Sequence, residues 1–253
     1  MPSTQPSITT SFENYFRMQL VQSEEQLHLV QHLRYRVYCQ EFGYENPEAF
    51  SNEREVDEFD EQSVHCLVMH RATGQAAGCV RVVPASNIDN GSMLPMEKYC
   101  KDALHPTYIH KLNQDRSTSC EISRLAVDGD FRRRGPEEKK SRFGKIAKID
   151  FSPEEVRTLP LVAVSAFLAA SAIADVTGYT NGFAMMEPFL PRLMSRSGIS
   201  FERAGQDIDY HGTRAPYFTT TDATLEGMQT SLKDLYNTIR AQLYPGLESH
   251  RLH

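Results

Sequence analysis

Charged and aromatic residues that could bind or deprotonate a ligand follow one another through the first half of the chain. Glu121 and Arg124 form a Glu-x-x-Arg pair. A glutamate can accept a proton as a general base, and an arginine can hold a carboxylate through two parallel hydrogen bonds. Six further residues precede the pair, and they are Arg34, Tyr38, Tyr44, Asp57, Asp60 and Arg81. The order of these residues along the chain restricts the possible functions more than any single residue does.

The composition limits the class of protein. The 253 residues include 27 Lys+Arg and 33 Asp+Glu, which gives a net charge of −6, and 40% are hydrophobic. This acidic balance argues against a general nucleic-acid binder, and the hydrophobic share is enough for a globular core. The five cysteines contain no Cys-x-x-Cys pair, so we expect reduced, packed thiols without a disulfide framework or a metal site. The first residues lack a secretory pattern, so the expected location is cytoplasmic.

The elements that must position the polar residues are predicted from hydrophobic periodicity. A polar tail over residues 1–20 precedes an amphipathic helix from Glu24 to Phe42, which Ser23 caps. Val64 to His70 and Ala76 to Val83 are typical of an antiparallel hairpin. Residues 84–115 are predicted as a long loop with one or two helical turns.

The second half of the chain begins with a predicted strand from Cys120 to Val127, in which Cys120, Ile122, Arg124 and Ala126 alternate with Glu121, Ser123, Leu125 and Val127. The later elements are a basic loop at 131–150, a buried helix at 159–176, a strand at 182–186, a helix at 188–197 closed by Gly198, a bent hairpin at 201–218 and an amphipathic C-terminal helix within 225–253. We expect one α+β domain over residues 1–253, with helices on the faces of a sheet.

The ordered polar set resembles the active-site motif of the autoinducer (acyl-homoserine lactone) synthases, which belong to the GNAT superfamily of N-acyltransferases. Six short runs are similar to acyltransferases of PEP-CTERM/exosortase systems, which are grouped with long-chain N-acyl amino acid synthases; they are Arg34–Cys39, Glu55–Asp60, Glu121–Val127, Phe131–Arg134, Met186–Pro188 and Tyr210–Gly212. The resemblance implies a GNAT fold, with a mixed, mostly antiparallel, twisted sheet flanked by helices. It also implies an enzyme that transfers an acyl group to an amine.

Two departures from these families bear on the substrates. Tyr44 stands where the autoinducer synthases have Trp, and the chain has no Trp. The GNAT pyrophosphate loop is half present, because Arg132-Arg133-Arg134-Gly135 is followed by Pro136. A loop without its second glycine offers fewer backbone N–H groups to a phosphate. We therefore expect the acyl-phosphopantetheine thioester of acyl carrier protein as co-substrate, with acyl-CoA as the alternative, and no tightly bound cofactor.

The resemblance assigns roles to residues that also have structural explanations. Glu121 is either the base, acting through water, or an ion-pair partner of Arg124 or Arg81. Tyr38 is either part of the binding cleft or a core residue. His211 is either an auxiliary base or a hydrogen-bonding residue on a strand, and we favour the second. Neither the histidines nor the cysteines have the spacing of metal ligands.

The arginine and aspartate residues of the set also have two explanations. Arg34, Arg81, Asp57 and Asp60 either pair with one another and hold the N-terminal helix over the cleft or contact the substrate directly. Asp57 and Asp60 cannot face the same way in an extended strand. We therefore expect one aspartate to orient an arginine and the other to contact the acceptor amine.

The donor side is assigned to the strand end and the basic loop. Leu125, Ala126 and Val127 are expected where strands of the GNAT fold separate and leave a backbone N–H free for the thioester carbonyl. Residues 131–148 carry eight Lys/Arg and two Glu. Arg132, Arg133 and Arg134 are therefore expected to dock the acidic carrier protein, and the alternative partner is an anionic membrane surface.

The sequence thus predicts an N-acyltransferase that moves a long-chain acyl group from a carrier thioester to a small amine, most simply an amino acid. The alternatives are a catalytically silent acyl-binding module and an autoinducer synthase that uses S-adenosylmethionine.

Overall fold

The computed structural model describes residues 6–85, 93–132, 149 and 151–250. Nine α-helices and eight strands lie within these ranges. The helices are α1 Ile8–Tyr15, α2 Glu24–Arg34, α3 Pro95–Tyr99, α4 Pro106–Gln114, α5 Pro153–Thr158, α6 Pro160–Thr177, α7 Leu190–Ser195, α8 Thr221–Gly227 and α9 Thr230–Leu247. The strands are β1 Phe16–Leu20, β2 Val64–His70, β3 Ala76–Pro84, β4 Ser119–Val127, β5 Asn181–Met186, β6 Glu202–Arg203, β7 Ile208–Asp209 and β8 Thr213–Thr220.

The strands form one mixed sheet in the order β1-β2-β3-β4-β5-β8-β6, and β7 pairs with β8. β4 and β5 pair in parallel, whereas the other neighbours are antiparallel. The predicted hairpin, the β4 strand, the β5 strand and the mixed, mostly antiparallel sheet are confirmed.

Helix α6 packs against one face of the sheet. It is apolar almost all the way round, and thirteen of its side chains are buried. It packs on β2, β3, β4 and α9. Its mean hydropathy of 1.7 over 18 residues would suit a membrane span by length and composition, but 72% of that window is buried inside the fold. The predicted buried helix is confirmed.

Residues 8–20 differ from the prediction, because they form α1 and β1 instead of a polar tail. Phe12 and Phe16 are fully buried in the core beside α6. Ser7 caps α1 by accepting a hydrogen bond from the backbone N–H of Thr10. The polar residues between the aromatic ones hide this pattern from a periodicity argument.

The predicted helix at 24–42 is present in two parts. Ser23 caps α2 as predicted, and the chain continues after Arg34 as a π-helix over Tyr35–Glu41. Phe42 N donates to Val37 O at 3.0 Å, the i to i−5 bond of that geometry. The wider turn then brings Tyr44 N to within 2.7 Å of Tyr38 O, and the two rings stack with their centroids 6.3 Å apart.

Two other regions differ from the prediction in their helices. The expected loop at 84–115 contains α3 and α4, each of which has proline at its first position. The C-terminal amphipathic pattern is divided between α8 and α9, and Gly227 packs closely against Gly198 between them. The basic loop predicted at 131–150 lies outside the described residues except for residues 131, 132 and 149.

Candidate active site

Three arginines and three carboxylates form a buried charge network beneath the site. Arg34 donates to Asp60 at 2.7 and 3.1 Å and pairs with Glu55. Arg81 Nη1 lies 2.7 Å from Asp60 Oδ1. The network also includes Asp57, which pairs with Arg81, and Arg124, which pairs with Asp57. Arg34 and Arg81 have no exposed surface. Burial alone would raise the pKa of Asp60, but the two arginines hold it at about 2.

The structure therefore favours the organising role for Arg34, Arg81 and Asp60 over direct substrate contact. Arg34 and Arg81 are buried and both pair with Asp60, although Arg81 Nη2 is buried without a hydrogen-bond partner among the described residues. The expectation that the two aspartates face different partners is also corrected. Asp57 and Asp60 lie in a turn, in which Asp57 accepts a hydrogen bond from Phe59 N, and both carboxylates reach Arg81.

Arg124 occupies a β-bulge between β3 and β4. Arg81 pairs with Ser123 and Cys79 with Ala126, so two residues of β4 oppose Val80 alone. Arg124 has a φ of 51°, which is uncommon for a residue with a side chain. Its guanidinium lies 3.0 Å from Glu55 and 3.1 Å from Asp57.

The bulge also changes the predicted alternation of β4. Cys120, Ile122 and Val127 pack in the cluster beside α6, whereas Ala126 packs with Cys79 on the opposite face. Strict alternation would have placed Ala126 on the same face as Cys120. Because of the extra residue, Arg124 and Glu121 line the same cavity.

Glu121 lies beside the charge network on β4. Its side chain is 2% exposed, and one carboxylate oxygen accepts a hydrogen bond from Met96 N at 2.8 Å. Burial raises the pKa of Glu121 to about 7, against the opposing effects of the Met96 N–H, Arg81 and Arg124. No direct ion pair with an arginine is found among the described residues. The geometry therefore suits a base that titrates near neutral pH better than a salt-bridge partner.

Strands β4 and β5 separate next to Glu121. They pair from Ser119 with Asn181 to Ile122 with Ala184, and β5 continues only with β8 beyond that point. The gap opens a central cavity and an apolar cavity. The central cavity, of about 560 Å³ including its opening to solvent, is lined by Tyr38, Tyr44, Glu45, Glu121, Arg124 and His211 among others.

The apolar cavity has a volume of about 1560 Å³ including its opening to solvent, and it extends from the strand gap to α6 and α7. Its lining includes Leu125, Ala126, Val127, Phe167, Ala184, Met186 and Leu190. It shares Tyr38, Tyr44, Arg124 and Arg214 with the central cavity, so the two are adjacent. The residues predicted at the strand separation therefore lie there and form part of the lining of an apolar cavity.

Aromatic rings form one wall of the central cavity. Tyr44 stacks on Phe42 at 5.1 Å and contacts the His211 ring at 5.4 Å. Tyr38 donates its hydroxyl to Leu125 O at 3.1 Å. His211 lies in a turn with a φ of 55°, not on a strand as expected, and burial lowers its pKa. Both tyrosines and His211 therefore belong to the site and not only to the core.

Four functional candidates were missed from the sequence. Glu55 links Arg34 to Arg124, and Glu45, Tyr210 and Arg214 line the central cavity. Glu45 and Glu55 lie in an acidic run that is typical of solvated surface. Tyr210 adjoins His211 in a run that the family resemblance contained. Arg214 had no sequence signal.

The donor-side arginines are only partly described. Arg132 pairs with Glu41 and lies over the Phe42 ring at 4.7 Å, beside the apolar cavity. Arg133 and Arg134 lie outside the described residues. In the part of the chain that the structure describes, no group of His, Cys, Asp and Glu side chains could hold a metal ion. The five cysteines are buried, and none is in a disulfide bond in this structure.

The comparisons with known proteins agree with this architecture. The acetyltransferase (GNAT) domain matches residues 33–138, which contain the charge network and Glu121. The fold is that of GNAT proteins, and the prediction of a GNAT-type acyltransferase enzyme is confirmed at the level of this domain. No curated protein sequence matches the chain significantly.

The structural relatives are synthases with low sequence identity. The acyl-homoserine lactone synthase LasI has 16% identity and a TM-score of 0.54, covering 85% of this chain and 97% of its own. The CoA-dependent acyl-homoserine lactone synthase BjaI, with SAM and isopentyl-CoA, has 13% identity and a TM-score of 0.54, and the match covers 89% of this chain and 90% of BjaI. FeeM, an N-acyl amino acid synthase from uncultured soil microbes, has 12% identity and a TM-score of 0.52, and the match covers 86% of this chain and 97% of FeeM.

Proposed function

We propose that the protein is an N-acyltransferase that moves a long-chain fatty acyl group from a phosphopantetheine thioester to the amine of a small acceptor, an amino acid in the simplest case. The strand separation supports this most directly. It joins a large apolar cavity, which suits an acyl chain, to a polar cavity with a glutamate base, which suits an amine. Burial of an alkyl chain provides about 0.8 kcal/mol per methylene group.

The proposed reaction needs one net proton acceptor. The acceptor's ammonium loses a proton to Glu121 through water, and the neutral amine attacks the thioester carbonyl carbon. The C–N bond forms, the C–S bond breaks, and the thiolate takes the second nitrogen proton. The products are an amide, a thiol and one proton released from Glu121. Backbone N–H groups of Leu125, Ala126 or Val127 are the proposed donors to the carbonyl oxygen.

Acyl carrier protein is the proposed donor, in the cytoplasm, and acyl-CoA is the second candidate. The basic run after Phe131 favours an acidic partner, whereas BjaI is a structural relative that uses CoA. The association with PEP-CTERM/exosortase systems rests on the sequence resemblance, and contact with a membrane surface rests on the same basic run. S-adenosylmethionine is the rival acceptor because two of the relatives above are acyl-homoserine lactone synthases.

The function can be tested by product analysis. Purified protein is incubated with palmitoyl-carrier protein or palmitoyl-CoA, together with the twenty amino acids and S-adenosylmethionine at equal concentrations. We expect N-acyl amino acids by mass spectrometry and faster transfer from the carrier protein. Acyl-homoserine lactone as the main product would assign the protein to autoinducer synthesis. Donor binding without transfer to any amine would favour the silent acyl-binding module.

The apolar cavity predicts a chain-length effect. Ala163 is an exposed α6 residue that lines this cavity, so Ala163→Phe should fill part of it without disturbing the core. We expect palmitoyl transfer to fall about tenfold or more relative to hexanoyl transfer, because several methylene groups lose their burial. Ala223→Phe, at an exposed position on α8, is the matched control. An equal loss with both chain lengths would show that the cavity does not hold the acyl chain.

Docking of the donor predicts a salt-dependent effect. Replacing Arg132, Arg133 and Arg134 with alanine should raise the KM for acyl-carrier protein, most strongly at low salt, because long-range attraction to an acidic partner is weakened. A short acyl thioester that lacks the protein should react almost as before. Steady-state kinetics at two salt concentrations provide the measurement. An equal loss with both donors would assign these arginines to the catalytic site or to the fold.

A further inference from the structure

Two oppositely charged side chains of the central cavity, Arg214 and Glu45, have no ion pair shorter than 3.4 Å among the described residues. Arg214 lies on β8, and Glu45 follows the π-helix. Both line the central cavity, and neither belongs to the buried charge network that occupies Arg34, Arg81 and Arg124. The arginines below the cavity are paired with carboxylates, whereas Arg214 at its wall pairs with no carboxylate of the described residues.

Arg214 shares a face of the sheet with Glu121. Glu121 is aligned with Phe183, which pairs with Phe218, and Arg214 lies four residues from Phe218 along β8. Because side chains alternate along a strand, an even separation keeps them on the same face. Arg214 is thus held by the sheet, a rigid element, at the boundary between the central and apolar cavities.

The guanidinium group of Arg214 is incompletely satisfied. Its Nε is buried without a hydrogen-bond partner, and none of the ion pairs found among the described residues includes Arg214. The guanidinium carbon lies 5.5 Å from the centre of the Tyr44 ring. An arginine has five N–H donors in a planar fork, and a buried donor without a partner is costly. A carboxylate in the cavity would satisfy it.

Glu45 is the complementary group. Its nearest cationic atoms are His211 Nε2 at 3.4 Å and Arg124 Nη2 at 4.0 Å. Arg124 is closer to Glu55 and Asp57, and burial lowers the pKa of His211, which disfavours the charged form of that ring. Glu45 also lines an acidic cavity with Glu55, Asp57 and Glu58, of about 660 Å³ including its opening to solvent. Its carboxylate is therefore available to an ammonium group.

We propose that Arg214 and Glu45 select a zwitterionic acceptor, with Arg214 bound to its carboxylate and Glu45 to its ammonium group before deprotonation. This inference rests on the proposed acyl transfer to an amino acid and identifies the residues that recognise it. It replaces the expected recognition by Arg34, Arg81 and the aspartates, which are already paired. The acidic cavity supplies the ammonium end, and the thioester approaches from the apolar side.

The test compares acceptors that differ only in the carboxylate: glycine with methylamine, leucine with isoamylamine, and phenylalanine with phenylethylamine. For Arg214→Met we expect the KM of the amino acid that the wild type uses to rise at least tenfold and that of its amine to change little. Arg214→Lys should restore part of the preference, because it keeps the charge. Glu45→Gln should weaken amino acid and amine alike. Arg240→Met, an exposed site on α9, is the control.

Direct binding separates this inference from the proposed function. Calorimetry with the same acceptors, without a thioester, should show carboxylate-dependent binding that Arg214→Met abolishes and Arg240→Met keeps. Binding of an amino acid without any acyl transfer would contradict the proposed function and leave the recognition intact. A wild type that binds none of the amino acids, an Arg214→Met variant that loses acid and amine equally, or one in which only the donor KM rises would overturn the inference.

Discussion

The Glu121→Gln variant is expected to lose at least about 10²-fold in turnover while its fold stays intact. Glutamine has nearly the same shape, and its carbonyl oxygen can still accept the hydrogen bond from Met96 N. It cannot accept a proton at pH 7. Turnover at saturating substrates and the circular dichroism spectrum together measure the effect. Glu226→Gln, an exposed position on α8, is the matched control and should be unaffected.

The pH dependence gives an independent test of the same base. The pKa of Glu121 is raised to about 7, so the carboxylate is protonated and inactive below that pH and ionised above it. The wild-type rate should therefore fall as the pH drops through 7. In Glu121→Gln the residual rate should lack this step and follow only the ionisation of the acceptor amine. Near-normal turnover of the folded variant would rule out Glu121 as the base and direct attention to His211, which lines the same cavity.

The sequence predicted the elements that local patterns determine. Val64–His70 and Ala76–Pro84 form the expected hairpin because two apolar runs flank a polar turn that ends in Gly74. The Ser23 cap and the buried α6 also follow from short-range signals, namely a hydroxyl before a helix and an unbroken apolar run. These features need no knowledge of the rest of the fold.

The candidate site could be predicted only in part, because its geometry depends on contacts between distant segments. The motif order identified Glu121 and Arg124, but no periodicity reveals the bulge that brings both to one cavity. Glu55 lies in an acidic run that is typical of solvated surface. Its role depends on ion pairs with two arginines from different elements, Arg34 and Arg124. Arg214 is a single arginine on a strand, and only the assembled sheet places it at the cavity.

The unpaired and paired arginines divide the site into a binding part and a supporting part. The network below the cavity has three cations and three carboxylates, so it contributes no net charge to a substrate. Its geometry fixes Arg124 and orders the turn at Asp57. Removing a supporting residue should therefore affect stability first, whereas removing Arg214 should affect acceptor binding first.

The Arg34→Met variant is expected to lose about 3 kcal/mol of stability. Arg34 is the fully buried partner of Asp60 and Glu55, and removing one member of a buried ion pair leaves the other charge poorly compensated. Arg81 and Arg124 still contact these carboxylates, which keeps the loss at the lower end of the usual range of about 3–5 kcal/mol. Urea unfolding followed by circular dichroism measures the change in the midpoint and in the free energy of unfolding.

A matched control variant and the free energy of unfolding at acidic pH test whether that loss comes from the buried ion pairs. Arg240 pairs with Asp175 at the surface with 40% of its side chain exposed, so Arg240→Met should cost at most about 1 kcal/mol. The pKa of Asp60 is about 2 in the fold and about 3.9 in an unfolded chain, so its stabilising contribution is present above pH 4 and is lost as the pH falls towards 2. Without Arg34 the folded pKa rises, and this part of the acid dependence should diminish. An Arg34→Met variant that is as stable as Arg240→Met and keeps the full acid dependence would show that the network does not hold α2 against the sheet. Arg34 would then be available for direct substrate contact, which its burial now argues against.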